Sequence, residues 1–157
     1  MPEKNILIFD FDGVIADSLG IFMKKVITAC IKYGSKQINT KEDFLSLFDD
    51  NLYTSLIKRS IPEDKLMNMI EEFKIGTKEQ NKIKIFKEVK EALLQLSKNH
   101  RIFIITSNLT QVVEEFLKSK GIRCFEEVIG ADKEISKVKK IKSIKLKFQN
   151  YGFFYIG

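Results

Sequence analysis

Four short, mostly apolar runs predict β-strands along the chain. They lie at residues 6–9, 101–105, 126–129 and 152–156. Continuous apolar runs of this length are typical of strands that are buried on both faces of a parallel sheet. The first two runs end in polar residues, Asp10 to Gly13 and Thr106 to Asn108, which favour turns.

Apolar residues recur at helical spacing between the later strands. The predicted helices span about residues 88–98, 110–120 and 136–148, and the last carries Val138, Ile141, Ile144 and Phe148 on one face. Helices that alternate with buried strands imply right-handed crossovers. We therefore predict an α/β fold, a Rossmann-like parallel sheet with helices on both faces.

One long segment interrupts this alternation with helical patterns alone. The patterns cover residues 18–34, 41–49, 51–60 and 62–74, with Asp17 or Ser18 available as the first N-cap. Gly76 and the polar residues 77–82 are typical of a linker. We predict an inserted α-helical cap subdomain at residues 18–82, and an α/β core formed by residues 1–17 and 83–157.

Composition limits the class of protein. The chain has 157 residues, of which 44% are hydrophobic and 31% charged, as expected of one globular domain with a modest insert. No apolar run approaches the roughly 18 residues of a membrane span. Residues 1–10 lack the features of an export signal, and Cys30 and Cys124 match no metal-ligand spacing. These features predict a reduced, cytoplasmic protein.

The positive charge is local. The net charge is +6, and residues 133–147 alone contain seven Lys and one Glu, so the rest of the chain is nearly neutral. Such a segment could be a basic surface for nucleic acid or for an anionic membrane. We favour a core helix with solvated lysines, because Arg is scarce along the whole chain. We expect no nucleic-acid or membrane partner.

Polar residues follow the first two strands at the ends where a parallel sheet binds ligands. Asp10 and Asp12 follow the first strand, and Thr106 and Ser107 follow the second. Carboxylates suit a hard divalent cation, while hydroxyl and amide groups suit a phosphate. An alternative is that the two Asp residues only cap a turn, but polar residues after two buried strands favour a site.

These residues resemble the haloacid dehalogenase superfamily, in its branch of phosphoglycolate-phosphatase-like members with a helical cap. Residues 10–18 read DFDGVIADS and are similar to the first motif of the superfamily. Residues 102–108 read IFIITSN and look like the second motif, and Lys137 looks like the third. The resemblance covers almost the whole chain, and its first motif is the most specific.

The resemblance implies a role for each matching residue. Asp10 would be the nucleophile that forms an aspartyl-phosphate, and Asp12 would be the general acid and base. Mg²⁺ would be held by the Asp10 carboxylate and by the backbone carbonyl of Asp12. Thr106, Ser107 and Lys137 would bind the phosphoryl oxygens.

One part of the family pattern is missing. The fourth motif, a Gly-Asp after the last core strand with a further acid beyond it, would begin at Gly157, where the sequence ends. We expect either a longer natural chain or a relative with weak or no turnover. Asp132 could supplement the metal ligands, although a plain loop acid is the simpler interpretation.

The sequence therefore favours a Mg²⁺-dependent phosphatase of small phosphorylated metabolites. Two alternatives are a non-catalytic relative that binds a phosphate ligand or a partner protein, and a receiver-like module phosphorylated on Asp10. The helical insert directly after the first strand argues against the receiver. The substrate and the oligomeric state are not predicted; Lys24, Lys25 and Lys36 are candidate substrate contacts by charge alone.

Overall fold

A four-stranded parallel sheet forms the centre of the molecule. The computed structural model describes residues 4–49, 51–73 and 77–157. The strands are β1 (Asn5–Asp10), β2 (Arg101–Ile105), β3 (Glu127–Ile129) and β4 (Gly152–Ile156). Their order is β3-β2-β1-β4 and every pairing is parallel, so the carboxyl ends of all four strands lie at one edge.

Helices connect the strands. The α-helices of the described residues are α1 (Leu19–Lys32), α2 (Lys41–Leu45), α3 (Leu52–Lys58), α4 (Leu66–Glu72), α5 (Thr77–Gln80), α6 (Val89–Leu96), α7 (Thr110–Ser119) and α8 (Lys137–Lys147). Short 3₁₀ turns follow α2 and precede α4. None of these helices is long and apolar enough to cross a membrane.

Alternate residues of β1 face opposite sides of the sheet, as the pleat of a strand requires. Leu7 and Phe9 share one hydrophobic cluster with Leu93 of α6 and with residues of α7. Ile6 and Ile8 belong to a second cluster, with Ile144 of α8. Both faces of the sheet are therefore covered by helices, and the α/β fold predicted from the sequence is confirmed.

Helices α1 to α4 share a hydrophobic core that centres on three phenylalanines. The ring of Phe22 lies 6.0 Å from that of Phe44 and 5.7 Å from that of Phe73, and both pairs are edge-to-face. All three side chains are buried. Aromatic pairs of this geometry add to the stabilisation that burial itself provides. Residues of α7 also belong to this cluster, and α7 packs on the sheet as well, so the cluster is connected to the sheet.

Two local predictions are wrong. Residues 77–80 form a short helix, α5, instead of a linker, and the chain after it is held by the buried side chain of Ile83. Val138 is 60% exposed, although its spacing placed it on the apolar face of α8. Two lysines, Lys137 and Lys140, extend from that helix toward the sheet instead, as described below. The predicted helix end at Lys74 and the start of the linker at Gly76 lie outside the described residues.

A tight turn follows β1 and holds the residues of the first motif. The N–H of Gly13 donates to the carbonyl of Ala16, and Gly13 has a φ of +78°, which glycine adopts without strain. Ala16 also forms an isolated bridge with Ile85. The turn is therefore tied to the segment that re-enters the sheet, and it places Asp12 beside the end of β1.

Candidate active site

Asp10 lies at the carboxyl end of β1, where each oxygen of its carboxylate has a partner. One oxygen, Oδ1, accepts a hydrogen bond from the N–H of Phe11 at 2.9 Å. The other, Oδ2, forms an ion pair with Nζ of Lys137, the first residue of α8. The structure thus brings together a nucleophile candidate from the first motif and a cation that lies 127 residues later in the sequence.

Asp12 lies beside Asp10 in an environment that disfavours its charge. The pKa of Asp12 is raised to about 6, mainly by burial and in addition by the negative charge of Asp10. Hydrogen bonds from Ser18 and Thr106 and the charge of Lys137 oppose this rise in pKa. A carboxyl group in this balance is suited to giving up and accepting a proton near neutral pH.

Ser18 has a different role from the one its position predicted. It is the N-cap residue of α1, but its side chain makes no capping hydrogen bond. Its hydroxyl instead donates to Oδ1 of Asp12 at 2.5 Å, and the residue is fully buried. The single proton of the hydroxyl is used in this bond, and its oxygen accepts no hydrogen bond from the first turn of α1. Ser18 therefore orients Asp12.

Thr106 and Ser107 form the loop after β2. Thr106 is buried, and its hydroxyl accepts a hydrogen bond from the N–H of Asn108 at 3.0 Å. Ser107 lines the same cavity as the two Asp residues, whereas Thr106 lies behind the lining. The buried amide nitrogen of Asn108 has no hydrogen-bond partner among the described residues. The side-chain amide of Asn108 is therefore a hydrogen-bond donor that no described residue uses.

Two buried side chains hold the carbonyls of this loop. Nζ of Lys140 donates to the carbonyl oxygen of Thr106 at 2.5 Å, and the hydroxyl of Tyr53, from α3, donates to the carbonyl of Ser107. Neither residue belongs to the motifs described above. Lys140 precedes Ile144 by four residues, so helical spacing alone would have placed it on the inner face of α8. Nothing in the sequence indicated the contact of Tyr53.

The burial of Lys140 predicts a specific pH dependence of stability. The pKa of Lys140 is lowered to about 8, mainly by burial and in addition by the charge of Lys137, while nearby acidic side chains oppose this shift. Between pH 8 and the usual value of 10.5, the unfolded chain therefore binds more protons than the native one, so stability contributed by this residue rises with pH. Relative to Lys140→Met, the free energy of unfolding of the wild type should rise by about 2–3 kcal/mol over this interval.

Urea unfolding at a series of pH values measures this difference. Lys142→Met, at an exposed lysine of the same helix, is the control and should show no such rise relative to the wild type. If the difference in free energy of unfolding between the wild type and Lys140→Met stays constant from pH 7 to pH 10.5, the pKa of Lys140 is not lowered in the folded chain.

The two Asp residues border a cavity of about 200 Å³. Its lining residues are Asp10, Asp12, Ser107 and Lys137 together with Leu19, Phe22, Leu45 and Phe48. A second, more polar cavity of about 590 Å³ adjoins it at Asp10 and is lined also by Asp49, Asn51, Ser136 and Tyr155. Asp12 lines only the smaller cavity, so the two carboxylates meet there.

Other candidate residues lie elsewhere. Oδ1 of Asp132 accepts a hydrogen bond from the N–H of Thr110 at 2.7 Å, and so caps the start of α7. Lys24 and Lys25 line a separate groove, where Lys25 pairs with Glu79 at 3.1 Å. Lys36 lines neither of the two cavities at Asp10. The structure therefore does not bring these charged candidates to the site.

The oxygen donors at the site fit a hard divalent cation. The charge of Asp10 raises the pKa of Asp12, so the two carboxylates are close enough to repel each other, and a cation would relieve that repulsion. Among the described residues, no group of three or more His, Cys, Asp or Glu is arranged to hold a metal. Mg²⁺ commonly binds through one or two carboxylates and completes its shell with water and substrate phosphate, which this pair allows.

Comparisons with known proteins give a family match and a set of similar folds. The model of the family described as haloacid dehalogenase-like hydrolase matches residues 7–153. A search of curated proteins gave no match. A haloacid dehalogenase-like family hydrolase from Streptococcus pneumoniae superposes with a TM-score of 0.69 at 19% identity, covering 100% of this chain and 77% of that one.

Two further solved structures carry phosphatase names. A predicted phosphatase from Clostridium acetobutylicum has a TM-score of 0.72 at 19% identity, covering 98% of this chain and 75% of that one. A predicted phosphoglycolate phosphatase from Haemophilus somnus has a TM-score of 0.63 at 18% identity, with coverage of 99% and 77%. At these identities the likeness establishes a shared fold.

Proposed function

The chain belongs to the haloacid dehalogenase-like hydrolase family, and within it we propose a Mg²⁺-dependent phosphatase of small phosphorylated metabolites that works through an aspartyl-phosphate on Asp10. The observation that carries the proposal is the pairing of Asp10 with Lys137 beside Asp12 and Ser107, at one cavity. A nucleophile, a proton donor and a cation for a phosphoryl group then share one site. The phosphatase names of two similar structures add support.

The proposed reaction has two steps. In the first, a carboxylate oxygen of Asp10 forms a bond to phosphorus, the bond from phosphorus to the ester oxygen breaks, and Asp12 protonates that oxygen as the alcohol leaves. In the second, Asp12 takes a proton from water while the water oxygen attacks phosphorus. The bond to Asp10 then breaks, which releases phosphate and restores both carboxyl groups.

The remaining residues bind the phosphoryl group. Lys137 and Ser107 line the cavity and would contact its oxygens directly. Thr106, whose hydroxyl is bonded to Asp12, would transfer that hydrogen bond to a phosphoryl oxygen. Mg²⁺, held by the Asp10 carboxylate and the Asp12 backbone carbonyl, would neutralise part of the charge that two carboxylates and a phosphate dianion bring together.

A non-catalytic role is the second candidate. It is favoured by the absence, within the part of the chain that the structure describes, of a third acid grouped with Asp10 and Asp12. Such a protein would bind phosphate-bearing ligands at the same cavity without turnover. In both the catalytic and the non-catalytic candidate, Lys137, Thr106 and Ser107 would bind the phosphate group.

Phosphate release from p-nitrophenyl phosphate distinguishes the two candidates. We expect release in millimolar Mg²⁺, its loss on chelation with EDTA, and its recovery when Mg²⁺ is restored, because the carboxylate pair repels the substrate dianion unless a cation is bound. Release that is equally fast in EDTA would contradict the metal requirement. Saturable binding of inorganic phosphate with no release in excess Mg²⁺ would favour the non-catalytic candidate.

A further inference from the structure

The smaller cavity at Asp10 and Asp12 has one wall that is entirely apolar. Leu19 and Phe22 come from α1, Leu45 is the last residue of α2, and Phe48 belongs to the turn after it. None of these four side chains can form a hydrogen bond or an ion pair. The polar lining residues, Asp10, Asp12, Ser107 and Lys137, lie at or just after the ends of β1 and β2 or begin α8, and they are the four that the proposed reaction uses.

Three of these apolar side chains are much more exposed to solvent than side chains that pack in a hydrophobic core. Leu19 and Phe48 are each 38% exposed, and Leu45 is 44% exposed. Large apolar side chains that converge on a cavity while open to solvent usually mark a place where a ligand binds. A single exposed apolar side chain is not informative by itself, since Leu146 on α8 is 71% exposed. The informative feature is that several such side chains line the same cavity.

The aromatic part of the apolar wall is preformed. The ring of Phe48 lies 5.2 Å from that of Phe44, and Phe44 lies 6.0 Å from Phe22, both in edge-to-face geometry. Phe44 and Phe22 are buried in the core of the helical segment. Phe22 and Phe48 are thus held by the same aromatic contacts that stabilise α1 and α2, and a ligand would not need to order them.

The position of Asp12 indicates which of the two cavities holds the leaving group. Asp10 borders both cavities, but Asp12 borders only the smaller, apolar one. In the proposed reaction Asp12 protonates the ester oxygen, so that oxygen and the group attached to it lie on the side of Asp12. The alcohol part of the substrate therefore faces Leu19, Phe22, Leu45 and Phe48.

We infer that the substrates are phosphomonoesters of compact apolar alcohols, alkyl or aryl, rather than of hydroxy acids or sugars. This inference rests on the proposed function. A carboxylate or a set of hydroxyl groups placed against this wall would lose its hydration and gain no partner, and a carboxylate would also lie near Asp10 and Asp12. Lys24 and Lys25, which could have paired with such a group, line a different groove.

Two phosphate esters of primary alcohols test the inference. We expect kcat/KM for benzyl phosphate to exceed that for 2-phosphoglycolate by at least about tenfold in Mg²⁺. Leu45→Lys should reduce this ratio or reverse it, since it adds a cation at an exposed position of the wall. Phe48→Lys is the second variant if the first fails to fold, and Leu146→Lys is the control that should leave the ratio unchanged.

Equilibrium binding of benzylphosphonate and phosphonoacetate, measured by calorimetry, separates this inference from the proposed function. Tighter binding of benzylphosphonate, with neither ester hydrolysed, would support the apolar subsite and overturn the phosphatase. Equal or faster hydrolysis of 2-phosphoglycolate would overturn the subsite and leave the phosphatase intact. A ratio that does not change in either lysine variant would also overturn the subsite.

Discussion

Asp10→Asn should lower the rate of phosphate release from p-nitrophenyl phosphate by a factor of at least about 10³. The amide is a poor nucleophile, so no bond to phosphorus forms on this residue. It also removes the negative charge that pairs with Lys137, but it preserves the size of the side chain and one oxygen that can accept from the N–H of Phe11. We therefore expect the fold to survive while turnover is lost.

Asp17→Asn is the matched control for this variant. Asp17 lies in the same turn and is exposed, and it lines neither cavity at Asp10. Its replacement removes one negative charge near the site and should change the rate by less than about threefold, as is usual for exposed charges. Release by Asp10→Asn at the wild-type rate would exclude Asp10 as the nucleophile.

Asp12→Asn should lower the steady-state rate by about 10²–10⁴-fold, because it removes the acid of the first step and the base of the second. The amide keeps an oxygen that accepts from the hydroxyl of Ser18, so the side chain should stay in place. The two steps respond differently to the leaving group. p-Nitrophenolate leaves without protonation, so its release should slow less than the hydrolysis of the aspartyl-phosphate.

A rapid-quench experiment on Asp12→Asn measures this difference. We expect a burst of nitrophenolate that approaches one equivalent of enzyme, followed by a slow steady state. An alkyl ester such as benzyl phosphate should give no burst, because its alcohol needs the proton that Asn cannot supply. A variant that turns over both esters at the wild-type rate would remove Asp12 from the mechanism.

The fold was predictable from the sequence because its strands are encoded locally. The run from Ile6 to Phe9 ends in two carboxylates, and the run from Ile102 to Ile105 ends in Thr106 and Ser107. Parallel pairing of β1 with β2 is then enough to place both groups at one edge of the sheet. The sequence pattern does not predict the register of this pairing, in which Asp10 lies opposite Ile105.

The parts of the site that the sequence did not predict depend on tertiary contacts. Lys140 lies in a run of lysines whose composition resembles a solvated face; its spacing from Ile144 indicates the inner face, but its bond to Thr106 is a tertiary contact that the sequence does not show. Tyr53 reaches Ser107 from a helix 54 residues earlier in the chain. The apolar wall combines residues of α1, α2 and the turn after α2 that no periodicity links. The division into core and cap at residues 18–82 stays a prediction.

The central claim is that Asp10 receives the phosphoryl group, and mass spectrometry tests it directly. The chain is mixed with p-nitrophenyl phosphate and Mg²⁺, quenched in acid within one turnover, digested with pepsin at low pH and fragmented. We predict the mass of one added phosphoryl group on Asp10 in the wild type, more of it in Asp12→Asn, and none in Asp10→Asn. Phosphate released by a chain that never carries this mass on Asp10, or that carries it on another residue, would contradict the account.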